Sequence, residues 1–125
     1  MKRIVQTENA PKAIGPYSQA VEANGFLFVS GQLGMDPATG QLAEGVEGQT
    51  RQAMQNIEAI LGAAGIGFGN VVRAGIFVAD MGDFQKVNAI YGSFFTSDPP
   101  ARATVEVGRL PKDALVEIEA TAVLG

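Results

Sequence analysis

The sequence contains no cysteine and no histidine. Without cysteine there is no disulfide framework and no thiol nucleophile. Without histidine, Ser-His-Asp triads, Cys-His pairs and zinc sites of the usual ligand sets are excluded. Long apolar runs are missing too. No stretch approaches the roughly 20 apolar residues that cross a bilayer. The segment Met1-Lys2-Arg3-Ile4-Val5 turns polar before a signal-peptide core could form. These features read as a cytoplasmic protein with no membrane partner. A cationic stripe is also absent. The 9 Lys and Arg are scattered against 13 Asp and Glu, for a net charge of -4. Nucleic-acid binders neutralise phosphates with clustered cations, so nucleic acid is not an expected partner. Chemistry is left to carboxylates, Arg, Lys, Tyr, hydroxyls, backbone groups and bound water.

What is present is enough for a core. The chain has 125 residues, 46% apolar and 18% charged, which suits one domain spanning 1–125. The run Phe26-Leu27-Phe28-Val29-Ser30-Gly31 reads as a buried strand ending at Ser30 and Gly31. Its hairpin partner precedes Asn24-Gly25, a strong turn signal. From Val46 to Ala64 the spacing of Val46, Ala53, Met54, Ile57, Ile60, Leu61 and Ala64 defines one helical face. Gln49 and Asn56 fall on other faces. Gly62 and Gly65 mark the helix end. Val71 to Ala79 reads as a strand. Phe84, Val87, Asn88, Tyr91, Phe94 and Phe95 repeat at helical spacing, with Asp80 or Asp83 as cap and Asp98-Pro99-Pro100 as terminator. Strands follow at Ala103–Val107 and Leu115–Leu124. In the last, Val116, Ile118, Ala120 and Ala122 alternate with Glu117, Glu119 and Thr121.

With a first strand near Lys2–Gln6, the order is β-β-β-α-β-α-β-β. Two helices can cover only one face of such a sheet, which predicts a two-layer α+β fold. In the strand from Val71, one face carries Val72, Ala74, Ile76 and Val78, and the other Val71, Gly75, Phe77 and Ala79. Both are apolar, so the face without helices is expected to lie against a partner subunit.

A few residues depart from this pattern. Arg102 opens a strand after two prolines. It can grip a carboxylate through two parallel hydrogen bonds, or serve as a surface or ion-paired arginine. Glu117 sits mid-strand among apolar residues, where it can orient water or simply face solvent. Asn88 interrupts an apolar stripe and needs partners, from a ligand or from a loop. Tyr17 follows the rigid pair Gly15-Pro16, which can aim its phenol at a pocket or pack it in a loop. Ser30 and Gly31 offer backbone N–H groups at a strand end.

The blocks Ala13-Ile14-Gly15-Pro16-Tyr17-Ser18-Gln19-Ala20, Val29-Ser30-Gly31-Gln32, Phe84-Gln85-Lys86-Val87-Asn88-Ala89-Ile90-Tyr91, Pro100-Ala101-Arg102-Ala103-Thr104-Val105-Glu106-Val107 and Leu110-Pro111-Lys112-Asp113 together resemble the RidA family, also called YjgF-type. The segment Val116-Glu117-Ile118-Glu119-Ala120 matches as well, and the resemblance covers essentially the whole chain. It implies a chorismate-mutase-like two-layer α+β sandwich, a mixed sheet with two helices on one face. It implies a homotrimer with clefts between subunits. It also implies hydrolysis of reactive enamines and imines, such as 2-aminoacrylate, 2-iminopropanoate and 2-iminobutanoate, to 2-oxo acids and ammonia, with no cofactor. By the same resemblance Arg102 binds the substrate carboxylate, and Glu117 rather than Glu119 orients water. Tyr17, Ser30 and Gly31 line the site, and Asn88 supports it. Thr104 stands where many members carry cysteine. Its backbone carbonyl is the group expected to help hold the water, and any residue supplies that.

Two other readings stay open at this point. One is a non-catalytic module that senses 2-oxo acids or other metabolites in the same cleft. The other is an endoribonuclease acting on messenger RNA, as older family names suggest. The apolar open face yields a direct expectation: sedimentation at micromolar concentration gives a species larger than the monomer. A monomer peak would contradict it.

Overall fold

The computed structural model describes all residues 1–125. It contains strands β1 (Arg3–Val5), β2 (Ala20–Ala23), β3 (Phe26–Leu33), β4 (Val71–Val78), β5 (Ala101–Glu106) and β6 (Val116–Val123). Two helices complete it, α1 (Gly45–Ala63) and α2 (Phe84–Gly92). The strands form one mixed sheet in the order β1-β2-β3-β6-β4-β5. The last strand enters between β3 and β4 and runs antiparallel to both. The crossover through α2 makes β4 and β5 parallel, with β5 at the edge. No helix is long and apolar enough to cross a membrane.

Local chemistry explains the joints. Asn24 and Gly25 turn between β2 and β3 with φ of 51° and 81°. Two successive left-handed residues are what a two-residue hairpin requires. Helix α1 ends where Gly65 takes a φ of 79°. There Gly65 N–H donates to the Gly62 carbonyl and Ile66 N–H to the Leu61 carbonyl, each at 3.0 Å, satisfying two orphan acceptors. The core lies between the helices and one sheet face. Leu27, Met54, Ile57, Ile60, Leu61, Ile76, Val116 and Ile118 are all at most 1% exposed. Each such side chain contributes about 1.5–3 kcal/mol through burial.

The sequence expectations need four corrections. First, β3 does not stop at Gly31 but continues to Leu33. Its register against β6 shifts between Val29 and Gln32, so Ser30 and Gly31 together face one residue, Glu119. Second, a register shift between Val71 and Arg73 moves Val72 off the face of Ala74. Val71 is buried beside the core and Val72 is 42% exposed. Third, α2 ends at Gly92 rather than at the prolines. The Ser93 hydroxyl donates to the Ile90 carbonyl at 2.6 Å. Phe94 and Phe95 then pack on Phe68, with ring centroids 5.5 and 5.4 Å apart. Fourth, Gln49 and Asn56 are buried, not on a wet face of α1. Asn56 donates to the Leu33 and Met35 carbonyls, and Gln49 accepts from the Leu115 N–H. They tie α1 to backbone that would otherwise lack partners. Of the two cap candidates, Asp80 is the one whose side chain accepts a backbone N–H, that of Gly82, in the short turn before α2.

The opposite face is bare. Cross-strand register places Ile4, Phe28, Phe26 and Val105 there, and they are 45%, 48%, 40% and 45% exposed. This agrees with the expected open apolar face.

Where α1 crosses β3, a side chain on Gly34 would overlap the Gln49 backbone. Backbone cannot yield as a flexible side chain does. Gly34→Ala is therefore expected to destabilise the fold by about 3 kcal/mol, read as a lower denaturation midpoint. An unchanged midpoint would show that α1 can move off the sheet.

Candidate active site

The sequence-predicted residues fall into two groups. The first surrounds Arg102, near the start of edge strand β5. Arg102 pairs with Ala74, which pairs with Ala120, so its side chain points to the helix layer. Nη1 donates to Asn88 Oδ1 on α2 at 2.7 Å. The guanidinium carbon lies 5.0 Å from the Tyr91 ring centroid and 5.7 Å from that of Phe84. The ion pairs of the chain are Arg3–Glu22 and Arg109–Asp113, so Arg102 has no carboxylate partner. It borders a cavity of about 530 Å³ whose walls include Tyr91, Phe95, Pro99 and Pro100. Thr104 lies two residues along the same strand face, its hydroxyl buried without a partner. The Tyr91 hydroxyl is likewise unpartnered. Burial raises the Tyr91 pKa, and the Arg102 charge partly offsets this.

The second group is built around Glu117 on β6. Glu117 pairs with Leu33 and Phe77 and points to the bare face. Its carboxylate lies across Gly31. A Cβ on Gly31 would stand 2.6 Å from Oε2. The bulge at Ser30–Gly31 thus supplies the glycine that lets Glu117 lie against backbone. Ser30 Oγ donates to the Ser18 carbonyl at 2.5 Å, and Ser30 N–H to the Gln19 carbonyl at 2.9 Å. These bonds dock the segment carrying Tyr17 beside the bulge, with Tyr17 52% exposed. Burial raises the Glu117 pKa, and the neighbouring charge of Glu119 raises it further. Such a carboxyl is poised to accept and return a proton.

The structure therefore brings Ser30, Gly31 and Glu117 together, with the Tyr17 segment fastened to Ser30 through Ser18 and Gln19, and separately Arg102, Asn88 and Thr104. It does not bring the two groups together within one chain. Arg102 and Glu117 lie on opposite faces of the sheet. They are two strands and three residues apart, about 14 Å along the sheet. The sequence places Phe84 and Tyr91 in an apolar stripe, and their spacing from Asn88 signals a shared surface. No three acidic side chains converge into a cluster that could hold a metal ion.

The raised pKa of Glu117 has a consequence for stability. Below the unfolded-state value of 4.5 the carboxyl is protonated in both states and carries no penalty. As pH rises through that value toward the folded pKa, ionising the half-buried group costs the native state stability. Glu117→Gln should then melt higher than the parent at pH 7, with the gain shrinking toward pH 4. An equal gain at both pH values would assign it to something other than the charge.

The match to the family model described as Endoribonuclease L-PSP runs over residues 7–124. The chain is similar to the 2-iminobutanoate/2-iminopropanoate deaminase of Salmonella typhimurium, with 50% identity over 98% of both chains. The goat protein of the same name, from Capra hircus, is 53% identical over all of this chain and 92% of its own. The crystal structure of E. coli TdcF with bound serine is similar with a TM-score of 0.94 and 41% identity, over 97% of this chain and 98% of that one. The chain thus belongs to the Endoribonuclease L-PSP family, the YjgF/RidA group.

Proposed function

We propose that this chain hydrolyses 2-imino acids, in equilibrium with their 2-enamine forms, to 2-oxo acids and ammonia. The observation that carries the proposal is an arginine held by Asn88 and two aromatic rings, with no carboxylate partner, at the mouth of a cavity. Relatives about 50% identical over nearly the whole chain bear the name 2-iminobutanoate/2-iminopropanoate deaminase.

The substrate is a small anion with an electrophilic C=N carbon. Arg102 pairs with its carboxylate, and a hydrogen bond to a charged group is worth about 1.5–3 kcal/mol. Ser30 and Gly31 line the other side. Glu117 and the Thr104 carbonyl orient a water molecule against the imine carbon. Attack forms the C–O bond and moves the C=N electron pair to nitrogen, giving a carbinolamine. Glu117 takes a proton from the water and returns one to the amine. Glu117 then passes the hydroxyl proton to nitrogen as the C=O group forms, which breaks the C–N bond and releases ammonia. Positioning carries the acceleration. Imines already hydrolyse in water, so modest acceleration suffices for protection against a reactive metabolite.

Because Arg102 and Glu117 face opposite sides of the sheet, this chemistry requires a second copy of the chain. In the proposed homotrimer, one subunit's Arg102 group meets the neighbour's Glu117 group in each cleft, with Tyr17 closing it. The exposed Phe26, Phe28 and Val105 would become interface. The chain acts as a single domain over 1–125. A short-lived imine must be intercepted where amino-acid-consuming enzymes release it, which assigns the protein to the cytoplasm.

The serine bound to TdcF favours a second reading, a sensor that holds amino-acid or 2-oxo-acid carboxylates without reacting them. One experiment separates the two. The protein is added to an enamine-generating dehydratase while ammonia and oxo-acid release are followed. Arg102→Ala should abolish the acceleration and leave the oligomer intact. Glu117→Gln should lower turnover at least tenfold with little change in KM. Full activity in Arg102→Ala would refute the assignment. No acceleration by the parent protein, with 2-oxobutanoate still bound, would establish the sensor.

A further inference from the structure

Arg102 is held on three sides by one helix. Phe84, Asn88 and Tyr91 stand at positions i, i+4 and i+7 of α2 and form a single stripe facing β5. Asn88 fixes one nitrogen of the guanidinium, at 2.7 Å. A single hydrogen bond leaves the planar group free to swing about it. The rings of Phe84 and Tyr91, with centroids 5.7 and 5.0 Å from the guanidinium carbon, oppose that swing. Attraction between a cation and an aromatic face restricts both its plane and its distance.

The two rings differ in what else they do. Tyr91 is 4% exposed and belongs to the main core, where it also packs on Phe95. Phe84 is only half-buried and lies outside that core. Burial alone does not call for an aromatic ring at position 84, since an aliphatic side chain would cover the same surface. A planar π face beside a cation does.

We propose that Phe84 is a positioning residue: with Tyr91 it sets the plane of the Arg102 guanidinium, so that an incoming carboxylate meets a preset fork. The inference rests on the reading of Arg102 as the carboxylate holder. A held fork loses less freedom on binding than a mobile one. The carboxylate does not change during hydrolysis, so the fork grips substrate and transition state alike. Loss of such uniform binding raises KM and leaves kcat.

The test compares Phe84→Leu, Phe84→Trp and Arg102→Ala in 2-iminobutanoate hydrolysis, with 2-oxobutanoate as a competitive inhibitor. Phe84→Leu should raise both KM and the inhibition constant about three- to fivefold, with kcat within twofold of the parent. Phe84→Trp should restore both constants to within twofold. In an Arg102→Lys background, where no planar group remains to be held, Phe84→Leu should have no further effect. Unchanged KM and inhibition constants in Phe84→Leu, with Arg102→Ala inactive, would overturn the role of Phe84 and leave that of Arg102. A fall in kcat that Phe84→Trp does not repair would also overturn it. Full activity in Arg102→Ala would instead overturn the reading of the site on which the inference rests.

Discussion

Insertion of β6 between β3 and β4 is the constraint from which the arrangement of the site follows. Five of the eight residues of β6 are paired on both sides, so its two faces are fixed by pairing rather than by local preference. Val116, Ile118, Ala120 and Ala122 must then meet the helices, and Glu117 must face away from them. A one-residue slip would bury Glu117 and Glu119 in an apolar core, at a cost far above the stability of a small domain. The same pairing carries outward through β4 to β5. Because Arg102 shares a row with Ala74 and Ala120, it must face α2.

Two half-sites result, each completed by elements distant in sequence. The Arg102 half draws on α2, which holds the guanidinium by a hydrogen bond and two aromatic faces. The Glu117 half draws on the bulge of β3 and on the segment before β2. Gly31 lets the carboxylate lie on bare backbone, and Ser30 fastens the Tyr17 segment beside it. Each half leaves something unfinished. Arg102 has no counterion, and the Glu117 carboxyl is half-buried beside a second acid. These two conditions support the proposed complements, an anionic substrate and a nucleophilic water.

Much of this was legible in the sequence, and what was not has a physical cause. The turn at Asn24-Gly25, the end of α1 at Gly65 and the alternation from Val116 to Ala122 are local signals, and the structure agrees with them. The bulges at Ser30–Gly31 and Val71–Arg73 depend on the partner strand, so strict alternation misplaced Val72. The burial of Gln49 and Asn56 depends on backbone far along the chain that needs partners. At α2, six residues of apolar spacing extended the reading past Gly92, because Phe94 and Phe95 pack on Phe68 in a turn. Six of the seven candidate site residues depart from the local pattern, and the family resemblance adds Thr104 and supplies the expected roles. The elimination of cysteine and histidine chemistry turned attention to groups such as Arg102 and Glu117 but could not separate catalytic from structural use. That these two face opposite ways required the sheet order.

The central claim is that one working site takes its arginine from one chain and its glutamate from another. Co-expression of Arg102→Ala, inactive alone, with Glu117→Gln, at most about a tenth as active as the parent, tests it most directly. Mixed oligomers contain some clefts that pair an intact Arg102 with an intact Glu117. Random assembly of equal amounts predicts recovery of about a quarter of parental imine hydrolysis. If mixed oligomers form and no activity returns, the two residues do not meet across the subunits, and the account is wrong.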